Sequence, residues 1–496
     1  MTGIKKGEEG TKNMEWKRKI AMMLLIVIAC SGNVVHAFAA EDINNEVPYR
    51  TYTYNKWGNA TPTPNGYLPQ KSILGTSIGV GDFLEPQDMF YCSARQEIYI
   101  VDTGNKRIIV TDKEFQLIKV IEELIWEGNP YPLQKPTGIF VTEEGTIYIT
   151  DQDNKEILIC NQDGILLNKY GKPVSNLIEE DFVYKPSKIV VDDFGKIYVQ
   201  SFGVYQGLIY LKPDGTFVKF FGANKVEMTM KRVIQKLWKT ILSDKASSNM
   251  QSFNPIEYGN VFIAADGFIY ATAAASENNS KLIAKLNPLG VDIIPFSRTV
   301  WYSNASFADI SVDEEGTITV VDAKTGRIYQ CDKNGQLMFA FGGIGEQLGL
   351  FKMPTSIIEV EDKLYVLDSE KKDITQFGLT GFGEKVRSAI SLYNRGLYEE
   401  SIKPWEDVIR LNANFLLAYT GVGKAYYQLE EFETAMKYYK LANDRGNYSI
   451  AFKEHSLEVM RSNFGLILAA IIILSVIYKG SMHFLKKRRN RKGERV

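Results

Sequence analysis

The residues best placed to do chemistry in this 496-residue chain are polar side chains that recur at one position of a repeated pattern. Asp88 and Lys188 lie two residues after Pro86 and Pro186; Asn260 and Asp309 lie two after Tyr258 and Phe307, which take the same register. Gly138 and Ser356, two residues after Pro136 and Pro354, complete the set. Two carboxylates and an amide would suit a hard cation with oxygen ligands. Lys188 opposes that use, because an ammonium disfavours a metal's charge at short range. The mixed set better suits a neutral polyhydroxylated ligand or a zwitterion. Asp88, Lys188, Asn260 and Asp309 are therefore expected to bind a ligand, with no catalytic role, no metal and no cofactor.

Other reactive groups are sparse. The three histidines are His36, His455 and His483, all outside residues 65–383. That stretch therefore holds no Ser-His-Asp or Cys-His arrangement and no zinc site needing imidazole. The glycines at 79–81 and 342–345 lack the strand–helix context of a phosphate-cradling loop.

The elements that must position the polar set are short strands. Pentapeptides ending at Asp102, Asp151, Ser201, Ala273, Asp322 and Asp368 share an alternating β-branched and aromatic pattern, as in Ile98–Asp102. Their spacings are 49, 50, 72, 49 and 46 residues, a period near 50 interrupted by one excess of about 22. Glycine turns follow the Pro-led strands, as at Gly145, Gly195, Gly267 and Gly316. Four strands per unit, joined by Gly/Asp turns, describe propeller blades, and six copies close a ring. Tyr49 to Trp57 is expected to supply a strand that completes the last blade. Two past each leading residue, the polar set would then face the channel mouth.

The repeats resemble NHL repeats on Asp102–Ile108 and on Pro136–Ile139 matched to Glu144–Asp151. The resemblance covers about residues 65–380 and weakens in blades 3 and 4, where Ser201 and Ala273 replace the aspartate. It implies a six-bladed β-propeller in which Asp102, Asn105, Arg107, Asp322 and Arg327 hold blade turns. The oxygen-bearing set at the channel mouth is similar to that of calcium-dependent gluconolactonase propellers, which keeps a lactonase-like hydrolase as an alternative. The absence of histidine from residues 65–383 separates the chain from NHL-like peptide-amidating lyases, which use a His-bound metal. Cys160 and Cys331 share a register in blades 2 and 5, opposite across a six-fold ring, and Cys92 lies in the inner strand of blade 1. Three free thiols follow.

The excess at 223–253 has apolar residues at helical spacing, including Val226, Val233, Leu237 and Trp238, and a polar side with Lys231, Arg232, Lys236 and Lys239. A helix packed on the propeller is expected, with a basic helix on anionic lipid or a partner-binding lid as alternatives. After residue 383 the period becomes helical. Tyr419, Gly423, Tyr426, Phe432, Ala435, Tyr439 and Ala442 resemble a tetratricopeptide (TPR) repeat, with a weaker copy over Ala389, Leu392, Tyr398, Ser401 and Trp405. Two such repeats fall short of the usual three and must lean on the propeller or on another chain.

Both ends address a membrane. Lys17, Arg18 and Lys19 precede an uncharged run, and small residues Ala37 and Ala39 follow, which describes a signal peptide over 1–39 cleaved near Ala39. Residues 27–30 also resemble a lipobox, which would lipidate Cys30; an uncleaved anchor is a further alternative, and Met14 an alternative start. Residues 464–485 form an apolar stretch with only Lys479 to snorkel, long enough as a helix of about 33 Å to cross a bilayer. The basic tail at 486–496 is then cytoplasmic and residues 41–463 lie outside. Residues 1–40 carry +3 and 486–496 carry +6 of a net −1, leaving about −10 in between, a sign unsuited to nucleic acid.

The expected organisation is thus a signal peptide (1–39), an N-terminal segment with the blade-closing strand (40–64), an NHL-type propeller (65–383), TPR-like repeats (384–463), a transmembrane helix (464–485) and the tail. The expected role is membrane-anchored extracytoplasmic binding or scaffolding, without enzyme activity, for a protein or carbohydrate partner. A hydrolase, or a sensor or transporter accessory, are the alternatives.

Overall fold

The computed structural model describes residues 47–55, 59–178, 182–222, 257–273, 282–294 and 305–493. The signal segment and the 223–253 insertion lie outside them.

The strands build a six-bladed β-propeller. Blade 1 runs Asp88–Cys92, Glu97–Asp102, Arg107–Asp112 and Leu117–Ile121. Blade 2 runs Pro136–Val141, Ile147–Asp151, Glu156–Cys160 and Leu166–Tyr170. Blade 3 runs Pro186–Val191, Ile197–Ser201, Leu208–Leu211 and Phe217–Phe221. Blade 4 shows Tyr258–Ile263, Ile269–Ala273 and Ile283–Leu286 among the described residues. Blade 5 begins with Phe307–Val312 and ends with Leu337–Gly342; blade 6 begins with Pro354–Val360 and continues through Lys363–Asp368 and Asp373–Leu379. The first strand of every blade neighbours those of the two adjacent blades, and blade 6 meets blade 1, so the ring is closed.

The core lies between blades. Both faces of each sheet are covered, so inner strands are buried along their length, as in Ile197–Ser201, buried at every position. One cluster joins Val101, Val110 and Ile139 across blades 1 and 2, and another joins Ile98, Ile109, Leu367 and Ile374 across the closing seam.

Closure differs from the sequence expectation. The strand completing blade 6 is Tyr67–Leu74, paired antiparallel to Asp373–Leu379 from Leu74↔Asp373 to Tyr67↔Leu379. Tyr52–Tyr54, expected in that place, instead pairs with the outer strand of blade 5 and with Ala60–Pro62. Pro69 is the reason the closing strand is hard to see: the register shifts between Gln376 and Phe377 where Pro69 pairs, a bulge that spares the missing N–H.

Six helices follow: α1 (Gly381–Asn394), α2 (Tyr398–Leu411), α3 (Leu416–Gln428), α4 (Phe432–Leu441), α5 (Arg445–Ser462) and α6 (Phe464–Gly493). The first five pack as successive neighbours. Gly421 on α3 admits the Trp405 indole of α2, which a Cβ would meet at 2.4 Å. The helices lean on the propeller. Phe382 and Phe415 pack on Phe339 of blade 5 at 6.0 and 6.5 Å between ring centroids. Arg387 donates to Tyr67 Oη (2.9 Å), Asp313 Oδ2 (2.8 Å) and Glu359 Oε1 (2.5 Å), spanning the closing strand and blades 5 and 6. The apolar stretch of α6, Phe464–Leu485, is 22 residues long and exposed throughout, as fits a single-pass membrane anchor.

Candidate functional site

The polar set is brought together in the channel by a local device absent from the sequence pattern. In blades 2 to 6 the register shifts within the first strand, between Pro136 and Gly138, Pro186 and Lys188, Tyr258 and Asn260, Phe307 and Asp309, and Pro354 and Ser356. Each shift is a bulge that re-aims the following side chain. In blade 1 the strand pairing starts at Asp88 itself.

The set divides into two linked groups. Lys188 Nζ lies 2.5 Å from Asp88 Oδ1 and donates to the Gln87 carbonyl (3.2 Å), while Asp88 Oδ2 accepts from the Ile139 amide (3.0 Å). Asp309 Oδ1 accepts from Asn260 Nδ2 and the Ile310 amide, both 2.7 Å. Its Oδ2 accepts from Ser356 Oγ (2.6 Å) and the Ile357 amide (2.7 Å). Ser356 Oγ in turn accepts from the Met89 amide (3.1 Å), returning to blade 1. None of the five side chains is more than 8% exposed.

Burial raises the Asp88 carboxyl above its ordinary range, against the pull of Lys188. Asp309 is pushed up to about 6, again by burial, with Lys188 lowering it and Asp88 raising it.

Asp88, Lys188, Asn260 and Asp309 are gathered in the channel, where their side chains bond to one another and to backbone. Every carboxylate oxygen of the ring already accepts at least one bond. What the arrangement does is tie blades. A second set of bonds, invisible in the repeats, reinforces it at the inner strands. Thr103 donates to the Pro136 carbonyl, Thr137 to Pro186, Gln200 to Tyr258, Thr272 to Phe307 and Thr355 to Pro86. Each joins one blade to the next.

The turn aspartates act as the repeat pattern implied. Asp102 accepts from the Leu84 amide, Asn105 Nδ2 and Arg107 Nε, each at 2.8 Å. Asp368 holds the amides of Lys352, Met353, Glu370 and Lys371. Ser201 keeps one such bond, to the Lys185 amide (2.9 Å). Asp322 accepts from Ser306 and Lys324 amides and from Thr325. Arg327 departs from its expected turn role: its guanidinium donates to Tyr52 Oη (2.7 Å) and lies over that ring, securing the added blade 5 strand. Cys92, Cys160 and Cys331 are free and buried.

No protein-family model matches this sequence, and no curated protein matches it. Among solved structures it is similar to a streptogramin B lyase, at 12% identity and a TM-score of 0.40, over 66% of this chain and 85% of that one. Virginiamycin B lyase from Staphylococcus aureus gives 12% identity and 0.39 over 63% and 100%. The extracellular domain of a putative one-component system from Bacteroides thetaiotaomicron gives 13% and 0.35 over 59% and 33%. The propeller assignment itself rests on strand order.

Proposed function

We propose that this chain is an extracytoplasmic binding or scaffolding protein held to a membrane by its C-terminal helix, with NHL-type blades and TPR-type helices as its interaction surfaces. The observation that supports it is the chain path: α5 ends at Ser462, and after Asn463 the exposed apolar stretch Phe464–Leu485 begins. The basic run after Leu485 favours a cytoplasmic tail. The outer propeller faces and the cleft between blade 5 and the helices are the surfaces assigned to a protein or carbohydrate partner. That cleft has Trp405 and Leu417 among its walls, with Lys333 and Lys424 beside them.

The test is topology combined with capture, using the full chain tagged at Val496. Protease added to intact cells should cut the propeller and spare the tag, and alkaline washing should leave the chain in the membrane. A photo-crosslinker at Lys424 should give an adduct that one at exposed Glu399 does not. Release by alkali would remove the anchor from the reading, and identical adducts from both positions would remove the cleft.

A further inference from the structure

The seam where the ring closes carries a second cleft, apart from the channel. Three stretches of chain wall it: Lys71 on the closing strand, Lys363 and Tyr365 in blade 6, and the turn at Lys113–Phe115 in blade 1. Register aligns them. Lys71 pairs opposite Gln376, and Gln376 opposite Tyr365, so these side chains form a row on one face of blade 6. Lys363, two residues before Tyr365, points to the same face. Phe115 packs its ring on that of Tyr365 at 5.0 Å.

Two observations suit this cleft to a ligand. Tyr365 is only 3% exposed, yet its hydroxyl has no hydrogen-bond partner among the described residues and is not sealed from solvent. That hydroxyl therefore opens on the cleft as a donor not engaged by the protein. Lys71 and Lys363 form no ion pair among the described residues, although Lys363 lies close enough to help hold Glu361 ionised, whereas Lys113 is held 2.8 Å from Glu361. Burial also lifts the Tyr365 phenol to about 12, which keeps it a hydrogen-bond donor at neutral pH.

We propose that the seam cleft binds an oxyanion, the carboxylate or phosphate of a small soluble ligand, with the Tyr365 hydroxyl and the ammonium groups of Lys71 and Lys363 donating to it. Glu114 and Glu361 on the rim limit the net positive charge, which suits a singly charged group better than a polyphosphate. Because Lys71 belongs to the closing strand and Lys363 to the second strand of blade 6, the bound anion would also tie the closing strand into its blade and add to stability.

The full-length chain in detergent is titrated with D-glucuronate by saturation-transfer NMR and with inorganic phosphate by phosphorus line broadening, D-glucose serving as the neutral control. At least one anion should bind. Tyr365→Phe, and Lys71→Ala combined with Lys363→Ala, should each weaken it about 5- to 10-fold, as expected for a lost charge-assisted hydrogen bond. Lys440→Ala, on the helices, should leave it unchanged. Near-UV circular dichroism checks that each variant folds. Glucuronate alone assigns a carboxylate, phosphate alone a phosphate, and both the shared oxyanion. Silence of both anions to about 50 mM, an affinity too weak to matter, would overturn the proposal. So would unaltered binding in the two cleft variants, or glucose binding as well as glucuronate.

Discussion

Lys188 in blade 3 reaches the carboxylate of Asp88 in blade 1, 2.5 Å away, past a blade 2 whose residue at this position is Gly138. The missing side chain makes the passage. A Cβ on Gly138 would stand 2.2 Å from the Ser187 carbonyl and 3.0 Å from Lys188 Cα. Gly138→Ala should therefore destabilise the propeller by about 1–3 kcal/mol, the usual cost of overpacking. The urea midpoint of the purified chain measures it, and an unchanged midpoint would mean that the strands can part.

Asp309 receives four donors from blades 4, 5 and 6. Asp309→Ala strands them in a buried site and should cost about 2–4 kcal/mol, each orphaned donor losing its compensation for desolvation. Asp368→Ala should behave alike, because that carboxylate also serves four amides. Thermal unfolding distinguishes this from a site held in readiness for a ligand, where Asp309→Ala would leave the melting temperature nearly unchanged.

Stability should fall as pH rises from about 5 to 7.5. Burial pushes Glu359 up to about 7, outweighing the neighbouring Arg387, and pushes Asp309 up to about 6. The folded state therefore binds protons that the unfolded chain, with carboxyls near 4, has released. That contribution is complete below the unfolded value and is lost through the folded one. Glu359→Gln should flatten the upper part of this decline in melts taken between pH 4.5 and 8. A slope identical to wild type would show that Glu359 stays charged against Arg387 throughout.

The three propeller thiols should resist alkylation in the native state. Burial raises all of them, Cys160 to about 12, so little thiolate exists at pH 8. Iodoacetamide should label Cys92, Cys160 and Cys331 at least ~10-fold more slowly before unfolding than after it. Mass spectrometry of the non-reduced chain reads the result. A Cys160–Cys331 disulfide would contradict the ring register, which sets these residues in opposite blades.

The blade count was legible because each repeat carries its own strands and turn, so local pattern and tertiary position coincide. The polar positions were legible for the same reason. Their bonding was not, since whether Lys188 meets Asp88 depends on lateral reach past Gly138 and on bulges that leave no mark in residue type. Tyr67–Leu74 was missed because its exposed alternation is poor and Pro69 interrupts it; its place is decided by a partner strand far along the chain. Arg387 drew no notice either. A lone arginine on a helix looks like solvated surface until Tyr67, Asp313 and Glu359 converge on it.

The N-terminal origin of the strand that completes blade 6 has a consequence for biosynthesis. Ser72 and Asp373, joined by a hydrogen bond across that pair, stand 301 residues apart. Translation delivers the closing strand first and its partner after every other blade. For most of synthesis, residues 67–74 wait without a mate, and so large a loop makes their pairing slow. The nascent propeller is then an open arc with an unprotected strand edge, the form most prone to pair with a second copy of itself. A chain stalled before residue 373 cannot complete the circle, so truncated products should be the aggregating species during expression.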